Sequence, residues 1–303
     1  ADMSDAIKAM STEIPASTTE IAAVEEAAGQ LGIQKDALLD FTRVMTMLGT
    51  ATNMTAEDAA TALARFANIT GMSADNYDQL GAVIVDLGNN FATTESEITQ
   101  MGTRLASGGK LAGLTEPQIM PLAAAMSSVG IEAEAGGTAM TQTLNAIEKA
   151  VASGEDTLQS FADVAGMSAD EFEQKWNTDA LSALTAFIRG LGDLDERGES
   201  ATLVLEDLGL TGIRQSNMLK SLALAADEMD SAVQTANTAW DENIALTNEA
   251  NKRYATTQSK LDMMQNAYTN LKVAVGDVYS GIFFTALTAV RPPPMIITFF
   301  TST

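Results

Sequence analysis

The chain has no cysteine and no histidine among its 303 residues. Without them there is no disulfide framework, no Cys/His zinc site, no iron–sulfur cluster and no cysteine nucleophile. A Ser-His-Asp triad and a His-ligated haem are excluded as well. Proline is scarce, with six residues, and aromatic side chains make up only 5% of the chain. So few aromatic clusters argue against a large sheet. Basic residues are also in short supply, 17 against 40 acidic ones, for a formal charge of −23. Tight binding to a phosphate backbone needs a basic footprint, so no specific nucleic-acid binding is expected. A long apolar run is missing too. The uncharged stretch from Val278 to Val290, before Arg291 and three prolines, falls short of the roughly 20 residues that span a bilayer. It reads as a packed helix or an interfacial segment. The first residues, from Ala1, lack a charged n-region followed by an apolar h-region, so no signal peptide is expected.

What is abundant points one way. There are 50 alanines, and the 16 methionines equal all the aromatic residues together. Alanine is the best helix former, and methionine fills irregular gaps between helices. The apolar share of 46% suits a chain that buries a core. An all-α fold is expected: a compact array of many short helices followed by a long coiled-coil-type helix.

A short phrase marks the helix junctions: Gly71-Met72-Ser73, Gly113-Leu114-Thr115 and Gly166-Met167-Ser168. The glycine supplies the left-handed position that ends one helix, and the hydroxyl residue caps the next. Gln118 and Glu171 stand three residues after their caps and complete capping boxes. Pro117 sits in a first turn, where its missing N–H costs nothing. Met72, Leu114 and Met167 before the caps pair with Tyr77, Ile119 and Phe172 after them as hydrophobic staples. Related starts lie at Thr55 with Asp58, Thr94 with Glu97, and Ser17 with Glu20. Helix starts are thus predicted at Ser73, Thr115 and Ser168. The spacing of the phrases is uneven, which excludes a strict solenoid. Between junctions apolar faces recur, as in Leu38, Phe41, Met45 and Leu48, or Ile119, Leu122, Ala123, Met126 and Val129.

From Trp240 onward the pattern changes, with no glycine or proline before Gly276. Tyr254, Thr257, Leu261, Met264, Tyr268, Leu271, Val275, Val278 and Ile282 follow at alternating steps of three and four. That is a 3.5-residue period, which calls for a left-handed coiled coil. Projected backwards, the seam takes in Trp240, Asn243, Thr247 and Ala250. A continuous helix from about Trp240 to Ile282 is predicted, meeting copies of itself around an axis. The candidate oligomer seam is Tyr254, Leu261, Met264, Tyr268, Leu271, Val275, Val278 and Ile282. Tyrosines and β-branched valines in it depart from the strict-dimer pattern and favour three strands or more. The chain divides into a helical body over 1–226, a stalk over 227–290 and an irregular apolar segment over 291–303.

No motif carries chemistry. Ser107-Gly108-Gly109-Lys110 fails as a phosphate loop, because Arg104 and Leu111 occupy positions that need glycine and Ser/Thr. The stretch from Asp193 to Gly198 starts like a calcium loop, but Arg197 and Val204 stand where ligands belong. Acid pairs such as Glu132/Glu134 and Asp170/Glu171 read as solvated helix surface, and Asn53-Met54-Thr55 as a helix cap rather than a glycan acceptor. Gly136-Gly137 before Thr138 reads as a tight turn with Thr138 as the following cap, or as a close backbone approach. No catalysis, bound metal or organic cofactor is expected.

Several segments together resemble the core region of phage tail tape measure proteins. They are Ala51 through Ala60 running into Leu63 through Thr70, Val85 through Asn90, and Ser127 through Thr138. Ala165-Gly166-Met167-Ser168 and Trp240-Asp241-Glu242-Asn243 with Arg253-Tyr254 extend the likeness, which covers roughly residues 11 to 275. The resemblance implies a structural virion protein that templates tail-tube assembly, sets tail length, lies in the tail lumen and tip, and leaves ahead of the DNA. The partners implied are further copies of itself, the tail-tube protein, distal tail and tip (baseplate hub) proteins, assembly chaperones and, during ejection, the host membrane. The host cytoplasm would be the site of assembly. The family offers no catalytic residues to transfer. Fully helical, 303 residues would reach only about 450 Å, and a folded body shortens that, so a fragment or processed form of a longer ruler is expected. The alternative is a membrane-active helical effector or channel-forming protein of a phage-like secretion apparatus, which would share this composition.

Overall fold

The computed structural model describes residues 3–154 and 156–289, with side chains as far as residue 276. The expected irregular segment over 291–303 lies outside the described residues. The fold is all-α, with 80% of the described residues helical.

The helices are α1 (Met3–Glu13), α2 (Thr18–Gln30), α3 (Leu38–Ala51), α4 (Ala56–Thr70), α5 (Tyr77–Asn90), α6 (Glu95–Leu111), α7 (Glu116–Ser128) and α8 (Ala133–Ser153). After them come α9 (Asp156–Val164), α10 (Ala169–Thr178), α11 (Ala180–Gly192), α12 (Ala201–Asp207), α13 (Ile213–Leu224), α14 (Ala226–Glu242), α15 (Ala245–Tyr254) and α16 (Thr257–Ala289).

Local chemistry sets the junctions. At Ser168 the Glu171 N–H donates to Oγ at 3.3 Å, and Glu171 Oε2 accepts the Ser168 N–H at 2.8 Å. The same reciprocal box closes at Ser17 with Glu20 and at Thr94 with Glu97. Gln118 Oε1 accepts the Thr115 N–H at 3.0 Å, and Thr55 accepts from the Asp58 N–H at 3.1 Å. Ser73 caps a single 3-10 turn, Ala74–Asn76, that runs straight into α5. At the other ends, Gly71, Gly113 and Gly166 take φ values of 73°, 82° and 73°. Behind each, the next N–H reaches back five residues, as from Met167 to the Ala162 carbonyl at 3.0 Å. These are Schellman closures, with the apolar Met72, Leu114 and Met167 folding back onto the core.

Two helices form the centre. In α7 every residue from Ile119 to Met126 is buried, including Pro121. In α5 Tyr77, Leu87 and the run from Leu80 to Val85 are buried. Around them α6 packs on α4, α7 and α8, while α9, α10, α11 and α13 extend the body. The extension holds an aromatic knot: Phe161 lies 5.2 Å from Phe187, and Trp176 donates from Nε1 to Glu148 Oε2 on α8 at 2.7 Å. Then α14 carries the chain back across α5 and α7, and α15 lies on α3 and α5.

The double glycine is not a turn before a cap. Gly136 and Gly137 lie inside α8, whose N-cap is Glu132, and Thr138 is helical with its hydroxyl on the Glu134 carbonyl. The turn falls earlier, at Gly130 with φ 77°. A Cβ on Gly137 would stand 2.6 Å from Arg104 Cβ, and one on Gly108 would stand 2.7 Å from Thr141. Gly108 and Gly137 thus let α6 and α8 approach closely, while Gly109 makes room for Ile119 and Gly136 for Ile131. The reading as a close backbone approach is the one that holds.

Candidate assembly interface

The predicted helix from Trp240 to Ile282 is broken twice. Asn243 takes φ 50°, the one positive value on a non-glycine residue among those described. Asparagine tolerates that conformation because its short amide finds a local or tertiary partner. Here Nδ2 donates to Asp78 Oδ2 at 2.6 Å. The second break is Ala255-Thr256. Thr256 Oγ1 accepts the Ser259 N–H at 3.2 Å and so caps α16, while Ser259 Oγ donates to the Arg253 carbonyl at 2.9 Å.

Between the breaks, α15 belongs to the body. Leu246 and Ala250 are buried, and Trp240 is partly buried against the main core. Gly81 on α5 makes room: a Cβ there would meet Leu246 Cδ2 at 2.9 Å. Tyr254 is half-buried at the meeting of the main core and the small cluster of Ile7, Met10, Ile14 and Ile21. Among the described residues its buried hydroxyl has no hydrogen-bond partner, and burial pushes its pKa up to about 12.

Beyond Thr256 the arrangement reverses. α16 touches α1, and the residues that turn inward are polar. Asn266 Nδ2 donates to the Ser11 and Ala16 carbonyls at 3.0 and 2.9 Å, and Asn270 Nδ2 donates to the Lys8 carbonyl at 3.2 Å and to Ser11 Oγ at 3.0 Å. Of these acceptors, the Ser11 carbonyl is one that the last turn of α1 leaves without a helical partner. The heptad spacing puts Leu261, Met264, Tyr268, Leu271 and Val275 on the opposite face. All five are exposed, Met264 by 69% and Leu271 by 59%. Val278 and Ile282 lie on the same helix, and their side chains are outside the described ones. This face is close to neutral: between Thr257 and Gly276 the only charged residues are Lys260, Asp262 and Lys272.

Around the rest of the surface, the residues of the failed phosphate loop are helical within α6, and the stretch from Asp193 to Gly198 is a turn after α11. No group of three or more acidic side chains among the described residues is placed to hold a metal ion. No described helix is long and apolar enough to cross a membrane.

The described residues thus form a many-helix body with one exposed apolar stripe on α16. Residues 4–208 match the family described as phage-related minor tail protein, so the chain belongs to that family and is a structural part of a phage tail. It is also similar to a probable tape measure protein of Halomonas phage phiHAP-1, 23% identical over 283 residues. That match takes in 91% of this chain and 32% of the relative, so the chain spans about a third of the relative's length. No solved structure matches.

Proposed function

We propose that the chain is the folded core of a tail tape measure protein. Its part is to template tube assembly and help set tail length from within the tail lumen and tip, with release during DNA ejection. The observation that carries the reading is the exposed seam of α16 on a body of the tail family. Five large apolar side chains in one stripe are a poor surface to leave in water. At about 25 cal/mol per Å² of apolar area, covering them is worth several kcal/mol per chain. The near neutrality of α16 lets copies meet there although each chain carries −23. Under this reading the boundary moves from 226 to the α15–α16 break, because α14 and α15 pack on α3, α5 and α7, so that the body runs to Tyr254 and the stalk begins at Thr257. Tail-tube, hub and chaperone proteins are the further partners under this reading, and no residue is assigned a catalytic role.

Replacing Leu261 and Leu271 by Asp tests it. Light scattering should show wild-type oligomers of three or more chains, with the double variant monomeric and unchanged in helicity. A wild-type monomer, or a variant of unchanged mass, refutes the coaxial seam. Co-purification with tail-tube protein supports the tail role, whereas leakage of lipid vesicles on adding the protein favours the membrane-active alternative.

A further inference from the structure

An acidic groove of about 490 Å³ opens where the α2–α3 connection faces the start of α5. Asp36 and Asp40 line one wall, and Asp75 and Asp78 the other. All four are exposed. Among the described residues Asp36 and Asp40 have no side-chain hydrogen bond, and no ion pair reaches any of the four. The one cation in the lining, Arg43, is held by Glu13 at 2.8 Å.

The same groove contains an unused polar group. Tyr77 is only 5% exposed, with its ring edge-on to Phe41 at 4.6 Å between centroids. Among the described residues its hydroxyl has no hydrogen-bond partner, although Tyr77 forms part of the groove wall. The ring is buried, while the oxygen is left open to the groove rather than sealed in the core. Burial pushes its pKa up to about 12, so it stays neutral beside the carboxylates.

The aspartates are too dispersed to form a metal cage. Placed around one groove, they suit a larger cation that carries several donors at once. A guanidinium has five N–H donors in a planar fork, suited to several carboxylates and a phenolic oxygen together. We propose that this groove docks an arginine-bearing segment of a partner protein, with the four aspartates supplying charge and the Tyr77 oxygen a neutral acceptor. It is a second contact surface, on elements that do not include α16, and it does not depend on the seam.

The test uses the full chain and a blocked, fluorescent heptapeptide carrying two arginines, with a two-glutamate counterpart, followed by anisotropy at low salt. The arginine peptide should bind saturably and the glutamate peptide should not. Asp36→Asn with Asp40→Asn should weaken binding about tenfold. Tyr77→Phe, which keeps the ring on Phe41, should weaken it about threefold. Asp170→Asn with Glu173→Gln removes equal charge elsewhere and should leave it unchanged. If the double groove variant melts early, the single Asp36→Asn is read instead. Absence of saturable binding, equal loss in the control, or wild-type affinity in Tyr77→Phe would each overturn the proposal.

Discussion

At Ser168 four atoms decide where a helix begins. The hydroxyl accepts one orphan amide and donates to Glu171 Oε2 at 2.7 Å, and the same carboxylate accepts the Ser168 N–H. Those bonds hold the Glu171 carboxyl below its ordinary value, the backbone bond first and the hydroxyl second. A carboxyl with a lowered folded-state pKa adds stability that is present above its unfolded value and fades as pH falls through the folded one. Ser168→Ala should therefore melt lower than wild type at neutral pH, and the gap should narrow on acidification towards pH 3. Thermal melts at the two pH values would measure it, and a gap that widens in acid contradicts the assignment. Such features were legible in the sequence because they are local: a cap, its partner three residues on, and a glycine with an apolar residue behind it. Ser17, Thr55, Thr94, Thr115 and Ser168 all behave as their neighbours dictate. Thr138 is no cap because the turn already closes at Gly130, and Gly137 before it answers to Arg104 on α6, far away in sequence.

The limit of sequence reading shows most clearly in the last two helices. A three-four apolar spacing runs without a break from Tyr254 to Ile282, and its weaker polar extension reaches Trp240, yet only the part after Thr256 is open. What ends α14 is a left-handed asparagine, whose amide is held by Asp78, 165 positions earlier. What buries α15 is the gap at Gly81. Both are tertiary facts with no local mark, since no glycine or proline announces them. The stripe itself was readable, because periodicity alone assigns a face. Which face the body takes was not readable, as it rests on Asn266 and Asn270 meeting carbonyls of α1. Replacing both asparagines by Ala should free α16 from the body without lowering helix content. Limited proteolysis should then cut faster around Arg253 and Lys260, with the melting of the body nearly unchanged. Equal cutting of wild type and variant would mean that the docking rests on other contacts.

Across the whole molecule, the chain leaves α1, builds the body, and returns to α1 as α16. The two helices run antiparallel: Asn270 reaches Lys8, and the earlier Asn266 reaches Ser11 and Ala16. A pull on the chain at Met3 and Ala289 would enter at the same end of this pair. The load would therefore open it like a zipper, one contact at a time, rather than shear all contacts together. The Asn270 bonds would part first, those of Asn266 next, and only then would force reach the helices packed around α5 and α7. In a force-extension experiment the chain should show a small early lengthening at low force, then the larger rip of the body, and Asn270→Ala should remove most of the first step. The α1–α16 pair would then act as a mechanical fuse, parting under tension while the helices around α5 and α7 stay folded.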